Sequence, residues 1–133
     1  MSENLDLVRS IYAAWERGDF SSTEWADPEI DFEIVDGPTP GRWQGVSSMN
    51  EAWRQFASAW ENFRVESEEL RELDDERVLA LGPFSARGKA SGVELGDMRT
   101  RGAGLWHLRG AKARRLVIYW QAERAFADLG LKE

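Results

Sequence analysis

The sequence of 133 residues contains no cysteine and a single histidine, His107. The absence of cysteine excludes disulfide bonds, thiolate metal sites and cysteine nucleophiles, and it is compatible with a reducing compartment. One histidine and scattered carboxylates give no credible cluster of metal ligands, so we expect neither a metal nor another cofactor.

No apolar run approaches the ~20 residues that a membrane span needs. The N-terminal segment MSENLDLVRS lacks a signal-peptide pattern. We therefore expect a cytoplasmic protein with no membrane partner.

Basic residues are also scarce. There are 17 Lys and Arg residues against 24 Asp and Glu residues, which gives a formal net charge of −7 and a pI near 4.8. This balance argues against nucleic acid as a partner, because phosphate binding needs a basic surface. The bases gather between residues 87 and 115, and Arg87 and Arg101 could form a footprint for an anionic group. The simpler interpretation is a solvated strand surface that pairs with acidic neighbours.

Tryptophan, by contrast, is abundant, with seven residues in the chain. The indole is large and its N–H group needs a partner, so a small core is filled more simply with Leu, Ile and Val. So many indoles in so short a chain indicate the wall of a cavity or an interface. They are Trp15, Trp25, Trp43, Trp53, Trp60, Trp106 and Trp120.

The first predicted element is a helix that ends at Gly18. Its apolar residues recur at helical spacing and are Leu5, Val8, Tyr12 and Trp15. A short helix that carries Trp25 is expected next, with its end at Asp27-Pro28. The segment 30–35 alternates apolar and acidic residues, which predicts a strand.

The sequence DGPTPGRWQG predicts a loop after that strand, and a second helix follows. Ser48 and Glu51 form a candidate capping box at its start. The apolar stripe of this helix repeats at steps of four and three residues, which predicts one buried face. The stripe consists of Met49, Trp53, Phe56, Trp60 and Phe63.

The remaining chain is predicted to form antiparallel strands and a short terminal helix. The strands span 64–71, 77–87, 98–108 and 113–121, and the helix spans 122–129. Helices grouped before strands predict one α+β domain over 1–133, with helices packed on one face of a curved sheet. The last strand is apolar on both faces between Leu116 and Trp120, whereas a single-layer antiparallel sheet usually has one wet face. We therefore expect a second copy of the chain to cover the outer face in a homodimer.

Five segments carry a resemblance to a known family: LVRSIYAAWERGDF, DPEIDFEI, PGRWQG, GDMRTRGAGLWHLRGAK and LVIYWQAERAFADLGL. Together they resemble the SnoaL-like branch of the NTF2-like superfamily over nearly the whole chain. The resemblance implies a cone, in which a strongly curved sheet wraps around the N-terminal helices and encloses a pocket, and it implies a homodimer through the outer sheet face. Members include polyketide cyclases, ketosteroid isomerases, dehydratases, epoxide hydrolases and binding domains, so the fold does not choose the activity.

The resemblance also implies a catalytic carboxylate. Against the ketosteroid isomerase pattern this group falls on Glu33, with Asp31 nearby on the same strand. An apolar cone would disfavour the charged form of Glu33 and suit it to proton transfer. Strand alternation gives the opposite interpretation, in which Asp31 and Glu33 are solvated and Ile30, Phe32 and Ile34 face inward.

The hydrogen-bond donors of the isomerase pattern are replaced in this chain. The family's phenol falls on Ile11, and Tyr12 lies one residue away. The family's protonated acid falls near Gly104, which has no side chain, so ketosteroid isomerisation is not expected. If strand 98–108 follows the family's facing, Thr100 and Trp106 face the pocket. His107 then lies on the outer face, in a structural or interface role.

These considerations predict a small-molecule pocket and leave its use open. We expect Glu33, Tyr12 and Asp31 as catalytic candidates. The expected ligand-binding residues are Trp15, Trp53, Phe56, Trp60, Thr100, Trp106, Ile118 and Trp120. One hypothesis is an acid/base isomerase, cyclase or dehydratase that acts on an apolar aromatic or polyketide-like molecule. The other is a non-catalytic ligand-binding or accessory homodimer. A third, weaker hypothesis is a structural dimer whose pocket is packed shut by the indoles.

Overall fold

The computed structural model describes residues 3–19, 22–36, 40–88 and 97–131. Within these ranges, the side chains of residues 56–63, 86–88 and 97–99 lie outside the description. The described elements, in chain order, are α1 (Glu3–Glu16), β1 (Ala26–Ile34), β2 (Gly41–Gln44), α2 (Val46–Ala59), β3 (Trp60–Val65), β4 (Glu69–Glu72), β5 (Arg77–Gly88), β6 (Asp97–Arg109), β7 (Lys112–Tyr119) and α3 (Ala122–Leu129).

The described strands form one sheet in the order β2-β1-β7-β6-β5-β3, and β4 also pairs with β5. Strands β1 and β7 run parallel, whereas the other pairs are antiparallel. The sheet is therefore mixed, and the prediction of a purely antiparallel sheet is wrong at this one pair. The predicted α+β cone is confirmed, since the sheet curls strongly around the helices.

The inner face of the sheet carries the larger core. Helices α1 and α2 pack against it, and Phe32, Met49 and Trp106 are fully buried there. Burial of each such side chain contributes about 1.5–3 kcal/mol. The stripe predicted for the first helix is confirmed at Val8, Tyr12 and Trp15, which are all buried. Its first member, Leu5, is partly buried.

The outer face of the sheet carries a second apolar cluster, and α3 covers it. Ala125 and Phe126 of α3 pack with Leu79, Leu105 and Val117 of the central strands. These strand residues are 0–5% exposed within the single chain. The terminal helix of the same chain therefore packs on this apolar face, and the homodimer through the outer sheet face stays a prediction.

The start of β1 differs from the prediction. The short helix expected around Trp25 is a turn, and β1 already begins at Ala26. Asp27-Pro28 does not end a helix but lies in a strand irregularity, where the register against β7 shifts between Ala26 and Asp31. Proline cannot donate to a ladder and is tolerated at such a bulge. The Asp27 carboxylate accepts a hydrogen bond from the amide of Glu29 at 2.9 Å.

Four further features of the predicted elements differ. The predicted loop contains β2, and α2 begins at Val46, two residues before the expected cap at Ser48. Helix α2 ends at Ala59, so Trp60 begins β3 rather than extending the helical stripe. The strand predicted over 64–71 is two strands, because the chain between them turns close over β5. The amide of Glu68 donates to the carbonyl of Leu81 at 2.7 Å in this turn.

Candidate functional site

A small cavity lies inside the cone, between the sheet and helices α1 and α2. Its volume is about 20 Å³, which is enough for about one water molecule. Its described lining consists of Tyr12, Trp15, Ile34, Trp53, Val65, Phe84, Ile118 and Trp120. Seven of these side chains are buried, whereas Trp53 is partly exposed. The wall is therefore apolar and aromatic, and Trp53 connects it to the surface.

Trp15 organises the aromatic wall on the side of α1. Its ring centroid lies 5.1 Å from that of Tyr12, 5.7 Å from that of Trp106 and 6.2 Å from that of Trp53. Trp15 meets Tyr12 and Trp53 edge to face, an arrangement that stabilises aromatic pairs beyond their burial. The helical spacing of α1 places Tyr12 and Trp15 on one face, so both reach the cavity from the same helix.

Tyr12 places a hydroxyl group in this apolar surrounding. Nε1 of Trp106 donates a hydrogen bond to the Tyr12 oxygen at 3.3 Å. Burial raises the pKa of the Tyr12 phenol, and the hydrogen bond from Trp106 opposes this rise only in part. Tyr12 is therefore a neutral phenol at physiological pH, which suits it to donate a hydrogen bond and not to act as a base.

Gly104 provides the space for this hydroxyl. A Cβ atom at Gly104 would lie 2.6 Å from the Tyr12 oxygen and 3.2 Å from Nε1 of Trp106. Any larger residue would therefore push into the hydrogen bond. The position at which the resemblance implied a protonated acid is instead filled by a phenol that reaches across from α1.

The end of β7 is held by hydrogen bonds that fix the opposite wall. The Asp36 carboxylate accepts a bond from the Trp120 amide at 2.6 Å, and the Thr100 hydroxyl donates to the Trp120 carbonyl at 2.8 Å. The Phe84 and Trp120 rings meet edge to face, with centroids 5.5 Å apart. Thr100 thus positions a lining residue and is not itself one of the described lining residues.

The two candidate carboxylates lie on the outer side of β1. Asp31 forms an ion pair with Arg42 at 2.8 Å, and Glu33 forms one with Arg115 at 3.0 Å. Phe32, between them, is fully buried in the inner core. Strand alternation thus gives the correct facing, and the placement of Glu33 in the pocket is wrong. The pairing with Arg42 and Arg115 explains why both carboxylates are stable there without contact with the cavity.

The structure brings together half of the expected ligand-binding residues. Trp15, Trp53, Ile118 and Trp120 line the cavity. Trp106 is not among the described lining residues, although it donates a hydrogen bond to Tyr12, which is one of them. The side chains of Phe56 and Trp60 lie outside the described part of the chain.

The sequence interpretation missed three lining residues, which are Ile34, Val65 and Phe84. Strand alternation could have found Ile34, which follows Phe32 on the inner face. The signal for Phe84 was the glycine at position 102, which leaves room for a large side chain from the neighbouring strand. The Phe84 ring packs where a Cβ of Gly102 would stand, and Gly102 pairs with Gly82 on the neighbouring strand.

His107 lies on the outer face, as expected, and away from the cavity. It pairs across the sheet with Arg77 and Arg115. Burial and the charges of Arg115 and Arg77 lower the pKa of His107 below its ordinary 6.5, against a smaller opposite effect of Asp74 and Glu76. The His107 imidazole therefore takes up a proton less readily in the folded protein than in the unfolded chain.

This pKa direction gives a pH dependence of stability. Above the unfolded value of about 6.5 the imidazole is neutral in both states. Below it the unfolded chain takes up the proton first, so the free energy of unfolding falls as the pH falls. We expect urea denaturation between pH 7.5 and 5.5 to show this loss, and His107→Gln to show less of it. An equal loss of stability in the variant would show that groups other than His107 cause the pH dependence.

No helix in the described ranges is long and apolar enough to cross a membrane.

No protein-family model matches the sequence, and no curated protein matches it either. Solved structures do. An NTF2-like protein of unknown function from Burkholderia pseudomallei superposes with a TM-score of 0.78 at 19% identity, over 96% of this chain and 97% of that one. TerC, co-crystallised with polyporic acid, gives 0.75 at 19% identity, over 96% and 98%. A SnoaL-like polyketide cyclase candidate from Mesorhizobium loti gives 0.70 at 11% identity, over 90% and 100%.

Proposed function

We propose, from the NTF2-like fold that this chain has, that it is a small-molecule-binding protein of the SnoaL-like class whose apolar or aromatic ligand enters the cone. The observation that carries the proposal is the aromatic cavity wall, to which Tyr12, Trp15, Trp53, Phe84 and Trp120 all contribute. Ligand sites are mainly apolar with a few placed polar groups. The complex of TerC with polyporic acid supports a small-molecule role for this fold.

The size of the cavity sets a condition on binding. About 20 Å³ does not admit an aromatic ring, so lining side chains must move when a ligand enters. Trp53 is the partly exposed residue of the described lining, and it contacts both Trp15 and Phe32. We therefore place the entrance at Trp53 on α2. If Trp53 does not move, no ligand enters, and the third hypothesis of a pocket packed shut by the indoles would hold.

Binding is favoured over acid/base catalysis by the position of the titratable groups. Asp31 and Glu33 are paired on the outer face. Among the described lining residues, Tyr12 alone is titratable, and burial keeps it protonated. An isomerase, cyclase or dehydratase would need a base that reaches the cavity, so the Glu33 mechanism loses its support. The proposal requires neither a second copy of the chain nor a particular compartment.

Acetophenone is a suitable probe, because it is a small aromatic molecule, and calorimetric titration measures its binding. We expect Trp53→Ala to bind it about tenfold more tightly than wild type, since ~1.4 kcal/mol of side-chain displacement is removed. Trp43→Ala is the matched control. Trp43 is also partly exposed and contacts Phe32, but it is not among the described lining residues. Glu33→Gln should leave the affinity unchanged. Loss of binding in folded Glu33→Gln, or no binding by any variant, would contradict the proposal.

A further inference from the structure

A second concave site lies between α1 and the turn of the β6–β7 hairpin. Its volume is about 430 Å³, against about 20 Å³ for the cavity inside the cone. Small-molecule sites have volumes of about 300–1,000 Å³, so this site has the size of one. We call it the α1 groove. It is lined along α1 by Leu7, Ile11 and Ala14, and on the opposite side by Trp25 and Lys112.

The floor of the α1 groove is apolar. Leu7, Ile11 and Ala14 follow one another at steps of four and three residues, which places them on one face of α1. Leu7 is only partly buried by the chain itself, and Ala14 has an intermediate exposure. This face therefore offers apolar surface that a ligand can cover.

The opposite wall of the groove is held by hydrogen bonds. Nε1 of Trp25 donates to the carbonyl of Ser22 at 2.9 Å, and the Trp25 carbonyl accepts a bond from the amide of Ala113 at 2.7 Å. Beside Trp25 the hairpin turns through Gly110 and Ala111, which both have a positive φ, as tight hairpin turns require. The groove is therefore already formed, whereas the cavity inside the cone has to open.

The rim of the groove is acidic. Asp19 and Glu24 are exposed there, and Lys112 is the one basic residue among the described lining residues. The Lys112 ammonium group donates a hydrogen bond to the backbone carbonyl of Glu24. The Glu24 carboxylate forms no hydrogen bond or ion pair with a described residue. The net charge of −7 adds a general attraction for cations, so a ligand with an ammonium group would find a carboxylate partner at this rim.

We propose that the α1 groove is a second binding site, which takes small apolar molecules that carry one ammonium group, such as arylalkylamines. The apolar part packs on Leu7, Ile11 and Ala14, and the ammonium group pairs with Glu24. This site is independent of the proposed function, because Trp15 is the only residue that the described linings of the groove and of the cone cavity share.

Three probes of similar size test the charge of the ligand. At neutral pH 2-phenylethylamine carries an ammonium group, 2-phenylethanol carries a hydroxyl group and 3-phenylpropionate carries a carboxylate. Calorimetric titration of wild type should give an affinity for the amine about three- to fivefold higher than for the alcohol, as an exposed ion pair provides. The carboxylate should bind more weakly than both.

The role of Glu24 is tested by a matched pair of charge replacements. Glu24→Gln should remove the preference for the amine and leave the affinity for the alcohol unchanged. Glu29→Gln removes the same charge from an exposed residue of β1 that is not among the described lining residues. This control variant should keep the preference for the amine.

The position of the ligand is tested by two variants of α1. Ala14→Phe fills the groove and should abolish binding of 2-phenylethylamine. Ala13→Phe adds the same side chain one residue away, outside the described lining, and should retain binding. Acetophenone should bind Ala14→Phe as tightly as wild type, because its proposed site is the cone. In wild type the indole N–H resonance of Trp25 should shift when 2-phenylethylamine binds, and this measurement needs no variant to fold.

The outcomes separate this site from the proposed function. Equal affinities of wild type for the amine and the alcohol, or a preference that survives Glu24→Gln, would overturn the ammonium site. Loss of the preference in Glu29→Gln as well would overturn it, because the preference would then follow the net charge of the chain. Amine binding by folded Ala14→Phe, or a Trp25 resonance that does not shift, would place the amine outside the groove. Failure of wild type to bind acetophenone would overturn the proposed function and leave the α1 groove unaffected.

Discussion

Replacement of Trp106 by alanine is expected to lower the free energy of unfolding by about 3–5 kcal/mol, the range for truncating a large buried aromatic residue. Trp106 is fully buried. Its ring centroid lies 5.2 Å from that of Trp25, 5.7 Å from that of Trp15 and 5.9 Å from that of Tyr12. The truncation leaves a cavity among three rings and removes the hydrogen bond to Tyr12. Since small domains are stable by only about 5–15 kcal/mol, this is a large share of the total.

Urea denaturation of the variant measures this loss, and Trp43→Ala is the control. Trp43 is a partly exposed residue of β2 that packs on Phe32, with ring centroids 5.7 Å apart. We expect its truncation to cost less than half as much, because the space it leaves is open to solvent. Equal losses in the two variants would show that Trp106 does not organise the inner core.

Replacement of Gly82 by alanine is expected to cost about 3 kcal/mol, at the upper end for an overpacked site. A Cβ at Gly82 would overlap the carbonyl oxygen of Glu66 and lie 2.7 Å from its carbonyl carbon. The obstacle is backbone and cannot rotate away. It is also held in place, since the Glu66 amide donates to the Pro83 carbonyl at 3.1 Å and the Glu68 amide to the Leu81 carbonyl at 2.7 Å.

Gly18→Ala is the comparison for this variant. Gly18 has a positive φ of 82° and open space around its Cα, so its replacement costs only backbone strain, roughly 1 kcal/mol. Chemical denaturation of both variants should therefore rank Gly82→Ala as clearly the less stable. A Gly82→Ala variant within 1 kcal/mol of wild type would mean that the β3–β4 turn moves away from β5 at little cost.

The sequence predicts the parts of this fold that depend on local periodicity. The stripe Val8, Tyr12 and Trp15 gave α1 its buried face, and the alternation of 30–35 gave β1 its inner residues. The resemblance to a family overrode that alternation when it placed Glu33 in the pocket. The alternation was correct, because a side chain's facing is fixed by the strand pleat and not by its position in a family pattern.

Other features depend on contacts between distant residues and are not readable from local patterns. The apolar spacing continues through Trp60, but the helix ends before it, because residue 60 pairs with β5. The packing of α3 on the apolar outer face of β7 was likewise not readable from local spacing. The hydrogen bond from Trp106 to Tyr12 joins residues 94 positions apart. No pattern within either segment indicates that bond.

A crystal structure of the protein soaked with acetophenone tests most directly whether the cone binds an apolar or aromatic ligand. We expect the phenyl ring to lie between Ile118, Phe84 and Trp120. Trp53 should have moved from its position against Phe32. A cone that stays closed around Trp53, or acetophenone bound only on the outer face near Glu33 and Arg115, would contradict the account.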